Sequence, residues 1–106
     1  MKPIELTKDN FEEVKADGKL VMIDFNAEWC GPCRVLGGVV DDIAESRDDV
    51  TVCKCDVDAN RELAEMFGVV NIPFIAFLKD GNLAGSLVGL QSKTSLNWKI
   101  DELLRR

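Results

Sequence analysis

Two segments, LVMID starting at Leu20 and TVCKCDV starting at Thr51, are apolar on both faces. A strand with one face in water alternates polar and apolar residues, whereas a strand covered by helices on both faces does not. These two are therefore expected to be inner strands of a sheet sandwiched by helices. Between them Val35, Leu36, Val39, Val40, Ile43 and Ala44 recur at helical spacing, so the unit reads strand, helix, strand, and its strands should run parallel with a right-handed crossover.

The rest of the chain extends this unit. Pro3 to Leu6, Leu20 to Phe25, Val50 to Val57 and Phe74 to Leu78 read as strands bounded by Gly, Asp or Asn. Asp80-Gly81, inside LKDGNLA, is a strong hairpin signal and pairs the fourth strand antiparallel to a fifth at Leu83 to Val88. Phe11 and Val14 mark a short helix after Thr7. Leu63, Met66 and Phe67 mark another, closed by Gly68, and a last helix after Ser92 buries Leu96, Ile100, Leu103 and Leu104. The order β-α-β-α-β-α-β-β-α predicts a three-layer α/β domain. Its 106 residues allow one core, so residues 1–106 form a single domain.

Charge narrows the partners. With 19 Asp and Glu against 13 Lys and Arg, the chain carries no electrostatic footprint for nucleic acid or for an anionic membrane surface. The opening MKPIELTKDNFEEV has no apolar run of signal-peptide length, and no later stretch approaches a membrane span, so a cytoplasmic protein is expected. Nothing in the sequence demands more than a monomer.

Chemistry concentrates in AEWCGPC, Ala27 to Cys33. Cys30 falls where the Leu20 strand gives way to the Val35 helix, and unpaired N–H groups at a helix start favour a thiolate over a thiol. Cys30 is thus the predicted nucleophile. Gly31 removes bulk in front of its sulfur, and Pro32 suits a first helical turn. Cys33, one turn in and expected to be more buried, is placed to displace a mixed disulfide, leaving a Cys30–Cys33 disulfide. Such a thiol should titrate within the window of about 3.5 to 7.5 reached by activated cysteines.

Histidine is absent, which removes the His-dependent routes to activation and to zinc binding. Cys30, Cys33, Cys53 and Cys55 would still supply four thiolates to a tetrahedral metal. Against this, Cys53 and Cys55 lie two apart within a buried strand, so both point to one face, where free cysteine packs as a small hydrophobe. No metal is expected.

WCGPC, preceded by an apolar strand carrying Asp24 and followed by Ile72-Pro73, resembles the thioredoxin family. The resemblance spans the chain through LTKDNF, DFNAEWCGPC, KCDVD, FGVVNIP, FLKDG and VGLQSK. It implies the thioredoxin fold, with a central mixed five-stranded sheet flanked by four helices. It also implies protein disulfide reduction through the Cys30 and Cys33 dithiol, whose redox poise Gly31 and Pro32 set. No cofactor is bound by the chain itself. The implied partners are disulfide-containing client proteins and a thioredoxin reductase, a flavoprotein drawing on NADPH.

By the same resemblance Asp24 lies beneath the site as proton acceptor for the resolving thiol, although an Asp at a strand end would otherwise be read as solvated, and Lys54 partners it. Pro73 matches a cis-proline that leaves the Ile72 backbone free for a substrate strand, and Trp29, Ile72, Gly89 and Leu90 match an apolar docking rim. Three positions depart from the family pattern: Asn26 for tryptophan, Phe74 for threonine, and Gly37-Gly38 where a helix-kinking proline is frequent. The glycines either preserve a bend or permit close packing.

Overall fold

The computed structural model describes residues 1–106. Its strands are β1 (Ile4–Glu5), β2 (Leu20–Asn26), β3 (Val50–Asp56), β4 (Phe74–Lys79) and β5 (Asn82–Val88), and its helices are α1 (Phe11–Lys15), α2 (Gly31–Ser46), α3 (Arg61–Met66) and α4 (Lys93–Leu104). The strands form one sheet in the order β1-β3-β2-β4-β5. β1 and β2 both run parallel to β3, whereas β4 is antiparallel to β2 and to β5, so the sheet is mixed as expected.

Register explains why the two central strands are apolar throughout. β2 and β3 pair Met22 with Val52 and Asp24 with Lys54, which puts the even-numbered residues of both on one face. There Leu20, Met22, Val50 and Val52 pack with Leu36, Val40 and Ile43 of α2 and Leu96, Ile100 and Leu103 of α4. On the other face Val21, Ile23, Phe25, Cys53 and Cys55 pack with Phe11 and Val14 of α1 and Leu63 of α3. Each fully buried Leu, Ile or Phe contributes about 1.5–3 kcal/mol relative to exposure.

The local signals produce the connections. Asp80 and Gly81 adopt φ of 53° and 79°, the two positive values that a tight hairpin turn of matching twist requires. α3 ends as expected: Gly68 N–H donates to the Glu65 carbonyl and Val69 N–H to the Ala64 carbonyl, closing the helix with a Schellman pair. The Ser92 side chain caps α4 by accepting from Ser95 N–H at 3.0 Å.

Some expected core positions are corrected. Val35 is 60% exposed and Met66 65% exposed, while Leu104 lies at the surface. The buried stripe of α2 is Cys33, Leu36, Val40, Ile43 and Ala44, and Val35 sits about 100° around the helix from Leu36. Leu103 takes the core position at the end of α4. β1 is also shorter than the apolar run, although Leu6 N–H still donates to the Lys54 carbonyl of β3 at 2.8 Å.

Cys53 and Cys55 are fully buried. Desolvation, first among the causes, pushes both thiols up to about 12, so neither supplies thiolate at neutral pH. Timed alkylation of the folded, reduced protein at pH 7, read by mass spectrometry, should label Cys30 and leave Cys53 and Cys55 unmodified until the chain unfolds. Labelling of Cys53 at the rate of Cys30 would contradict this packing.

Candidate active site

The site gathers where β2 ends, α2 begins and β4 starts. Because β4 runs antiparallel to β2, Phe74 pairs with Phe25, and Pro73 is brought beside the chain that leaves β2. From Asn26 that chain runs through Ala27, Glu28 and Trp29 to Cys30, the N-cap of α2, with Pro32 in the first turn.

Cys30 and Cys33 form a disulfide, with a Cα–Cα distance of 5.2 Å. That distance is within the range one disulfide spans without moving the backbone. Cys33 N–H donates to Cys30 Sγ at 3.3 Å, so sulfur takes the place of the usual capping oxygen. In the reduced protein this N–H and the positive end of α2 both favour a Cys30 thiolate. Cys30 is 6% exposed and Cys33 4% exposed. The expected contrast in burial is thus nearly absent in this oxidised form, because the bond draws both sulfurs into a small cluster with Ala27, packed against Val57 and Ile72.

Cys53 and Cys55 belong to a different cluster. No three His, Cys, Asp or Glu side chains are arranged to hold a metal ion.

The Ile72–Pro73 peptide bond is cis. Pro73 is buried, and its carbonyl accepts from Gly89 N–H at 2.8 Å, which draws the Gly89-Leu90 segment towards the start of β4. Around this junction Trp29 and Leu90 are exposed and Ile72 is half-buried. Trp29 Nε1 donates to Asp58 at 2.8 Å, a contact that holds the exposed indole. Asp58 was not singled out from the sequence, since 29 positions separate the pair. Phe74 packs on Phe25, with ring centroids 6.1 Å apart, against the cluster on the odd-numbered face of β2 and β3.

Asp24 lies on the even-numbered face beneath α2. It is 1% exposed, and neither carboxylate oxygen has a hydrogen-bond partner. Burial pushes its pKa up from 3.8 to about 6, opposed by the Lys54 charge and reinforced by that of Asp41. Lys54 acts on Asp24 through its charge and not through a hydrogen bond: Lys54 Nζ binds Asp41 Oδ1 at 2.8 Å and the Gly37 carbonyl at 3.3 Å. The two residues are register partners, but the ammonium extends along α2 instead of turning to the carboxylate. Burial therefore prevails over the opposite charge.

Asp24, Asn26, Cys33, Gly37, Asp41 and Lys54 line an open cleft of about 640 Å³. Asn26 Nδ2 donates to the Asp24 carbonyl at 3.0 Å. A Cβ at Gly37 would lie 3.5 Å from Lys54 Nζ, an ordinary contact, so the ammonium does not by itself require a glycine there. α2 runs unbroken through Gly37 and Gly38 to Ser46, and nothing in the structure explains Gly38. Asp41 was also not singled out from the sequence, although Cys33, Gly37 and Asp41 repeat every fourth position along one helix face.

Comparison with known proteins agrees with this geometry. A family model described as Thioredoxin matches residues 2–102. The chain is 45% identical over 91 residues to a thioredoxin of Chlamydia muridarum, covering 86% of this chain and 88% of that one. It is 39% identical over 101 residues to a thioredoxin of Alicyclobacillus acidocaldarius, covering 94% and 96%. A solved mutant thioredoxin from Halobacterium salinarum superposes with a TM-score of 0.90 at 36% identity, covering 95% of this chain and 89% of that one.

Proposed function

We propose, from the premise that this chain belongs to the thioredoxin family and is a thiol–disulfide oxidoreductase that reduces protein disulfides, a specific division of labour among its residues. The observation that carries it is the Cys30–Cys33 disulfide at the start of α2, with Cys33 N–H aimed at Cys30 Sγ.

In the reduced protein Cys30 thiolate attacks one sulfur of a client disulfide. A Cys30–client bond forms, the client disulfide breaks, and the first client thiolate leaves and takes a proton from solvent. Cys33 then gives its proton to the Asp24 carboxylate and attacks Cys30 Sγ. The Cys30–Cys33 bond forms as the Cys30–client bond breaks, the second client sulfur leaves as a thiolate and takes a proton, and Asp24 gives the Cys33 proton up to solvent. Two electrons and two protons pass to the client in all. A thioredoxin reductase, supplied by NADPH through its flavin, returns the pair to dithiol.

Asp24 suits the proton step because its raised pKa of about 6 makes it a stronger base than a solvated carboxylate while leaving it ionised at neutral pH. Lys54 tunes it from the same face. Gly31 and Pro32 set the poise of the pair. Trp29, Ile72, Gly89 and Leu90, with Pro73 beneath them, receive an extended client segment. No helix is long and apolar enough to cross a membrane, and we place the protein in the cytoplasm as a monomer.

Trapping tests the order of attack. Cys33→Ser should accumulate a covalent Cys30–client adduct that reducing agent releases, and Cys30→Ser should accumulate none, as read by non-reducing electrophoresis and mass spectrometry. An adduct on Cys33 in the Cys30→Ser protein at equal yield would reverse the assignment.

A further inference from the structure

The ion pair at the site does not involve the buried carboxylate. Lys54 Nζ lies 2.8 Å from Asp41 Oδ1, and its second contact is the Gly37 carbonyl. Asp24, on the adjacent strand and paired in register with Lys54, keeps both oxygens unpartnered at 1% exposure. All four residues line one cleft, and Cys33 opens onto it too. An unpaired buried carboxylate beside a lysine is an unstable arrangement unless something else holds the lysine, since the pair would otherwise close. Asp41 is what holds it.

We propose that Asp41 is a positioning residue for the proton step: it anchors Lys54 along α2 and keeps the ammonium off Asp24, so that the carboxylate stays free to accept the Cys33 proton. This rests on the reading of Asp24 as proton acceptor.

Every charged or titratable group around Asp24 enters the balance. From β3 comes Lys54. From α2 come Asp41 and Cys33. Arg34, in the early turns of α2, and Glu28, just before it, line the outer cleft. Cys55 on the opposite face is uncharged at neutral pH, and Ile75, the β4 partner of Asp24, carries no charge. Lys54 is the group whose position can change the balance most, because it alone brings a positive charge next to Asp24 in register.

Asp41 is exposed, so Asp41→Asn removes the charge with little risk to the fold. Two consequences act in one direction: Lys54 is released to turn towards Asp24, and a repelling negative charge is lost. The Asp24 titration midpoint, followed by carboxyl-carbon NMR in the reduced protein, should therefore fall by about one unit, the low end of what a nearby opposite charge does. Asp41→Glu should restore most of the original midpoint. In a Lys54→Met background Asp41→Asn should move the midpoint by less than half as much, since there is then no ammonium to release.

An unchanged midpoint in Asp41→Asn would overturn the proposal. An equal shift with and without Lys54 would overturn it as well, because Asp41 would then act directly rather than by positioning. Failure of the underlying reading shows separately, in the pH profile of client release: if Asp24→Asn leaves that profile unaltered, Asp24 is not the proton acceptor, whatever Asp41 does to its titration.

Discussion

At pH 8, Asp24→Asn is expected to be about 3 kcal/mol more stable than the parent protein, with a melting temperature about 10 to 20 °C higher. The reason is the cost of an ionised carboxylate held at 1% exposure with no hydrogen-bond partner. Its pKa rises from 3.8 to about 6 on folding, roughly two units at 1.36 kcal/mol each. The sign follows from proton binding. Between about pH 4 and pH 6 the folded protein holds a proton on Asp24 that the unfolded chain has released, so stability falls as pH rises through this window and stays low above it.

Asparagine removes the charge while keeping the shape, and its unpaired amide resembles the unpaired protonated acid. The stability difference between variant and parent should therefore shrink through the window and vanish below about pH 4. Paired urea titrations at pH 8 and pH 3.5 check this. Equal stability at pH 8 would mean that the carboxylate is not desolvated. The same substitution should slow client release if the proposed proton step runs through Asp24.

The architecture was legible because its signals are local. LVMID and TVCKCDV lack alternation, and both strands proved to be covered on each face. Asp80-Gly81 formed its hairpin, Gly68 closed α3 and Ser92 capped α4. Periodicity blurred at the edges of helical stripes. Val35 is apolar and adjacent to a core residue, yet a rotation of about 100° puts it in water. No local pattern separates Val35 from Leu36, whose difference arises only when the sheet takes its place under α2.

The site divided in a similar way. Cys30 and Cys33 were readable because a strand end, a Gly-Pro and a helix start are contiguous in sequence. The resemblance, not the local pattern, indicated that Asp24 would be buried, since the residue itself does not reveal what covers its face. The contact that Lys54 makes was hidden for a related reason: register brings Asp24 and Lys54 side by side, but a long side chain goes to its best accessible acceptor. That acceptor is Asp41, one helical turn beyond Gly37, whose carbonyl the ammonium also meets. The Trp29 contact with Asp58 likewise joins positions that only folding brings together.

The most direct test of the dithiol mechanism is turnover. With a small dithiol as reductant and a disulfide-bonded protein as substrate, the wild-type chain should accelerate reduction many-fold. Cys30→Ser should lose about 10³-fold or more of that acceleration, on the scale at which removing a nucleophile acts, because a serine hydroxyl does not attack a disulfide at neutral pH and Cys33 lacks the helix-start position. Thermal melts of both proteins establish that each is folded. Loss of turnover in folded Cys30→Ser is the expected result; equal, near-background rates for wild type and variant would contradict the mechanism.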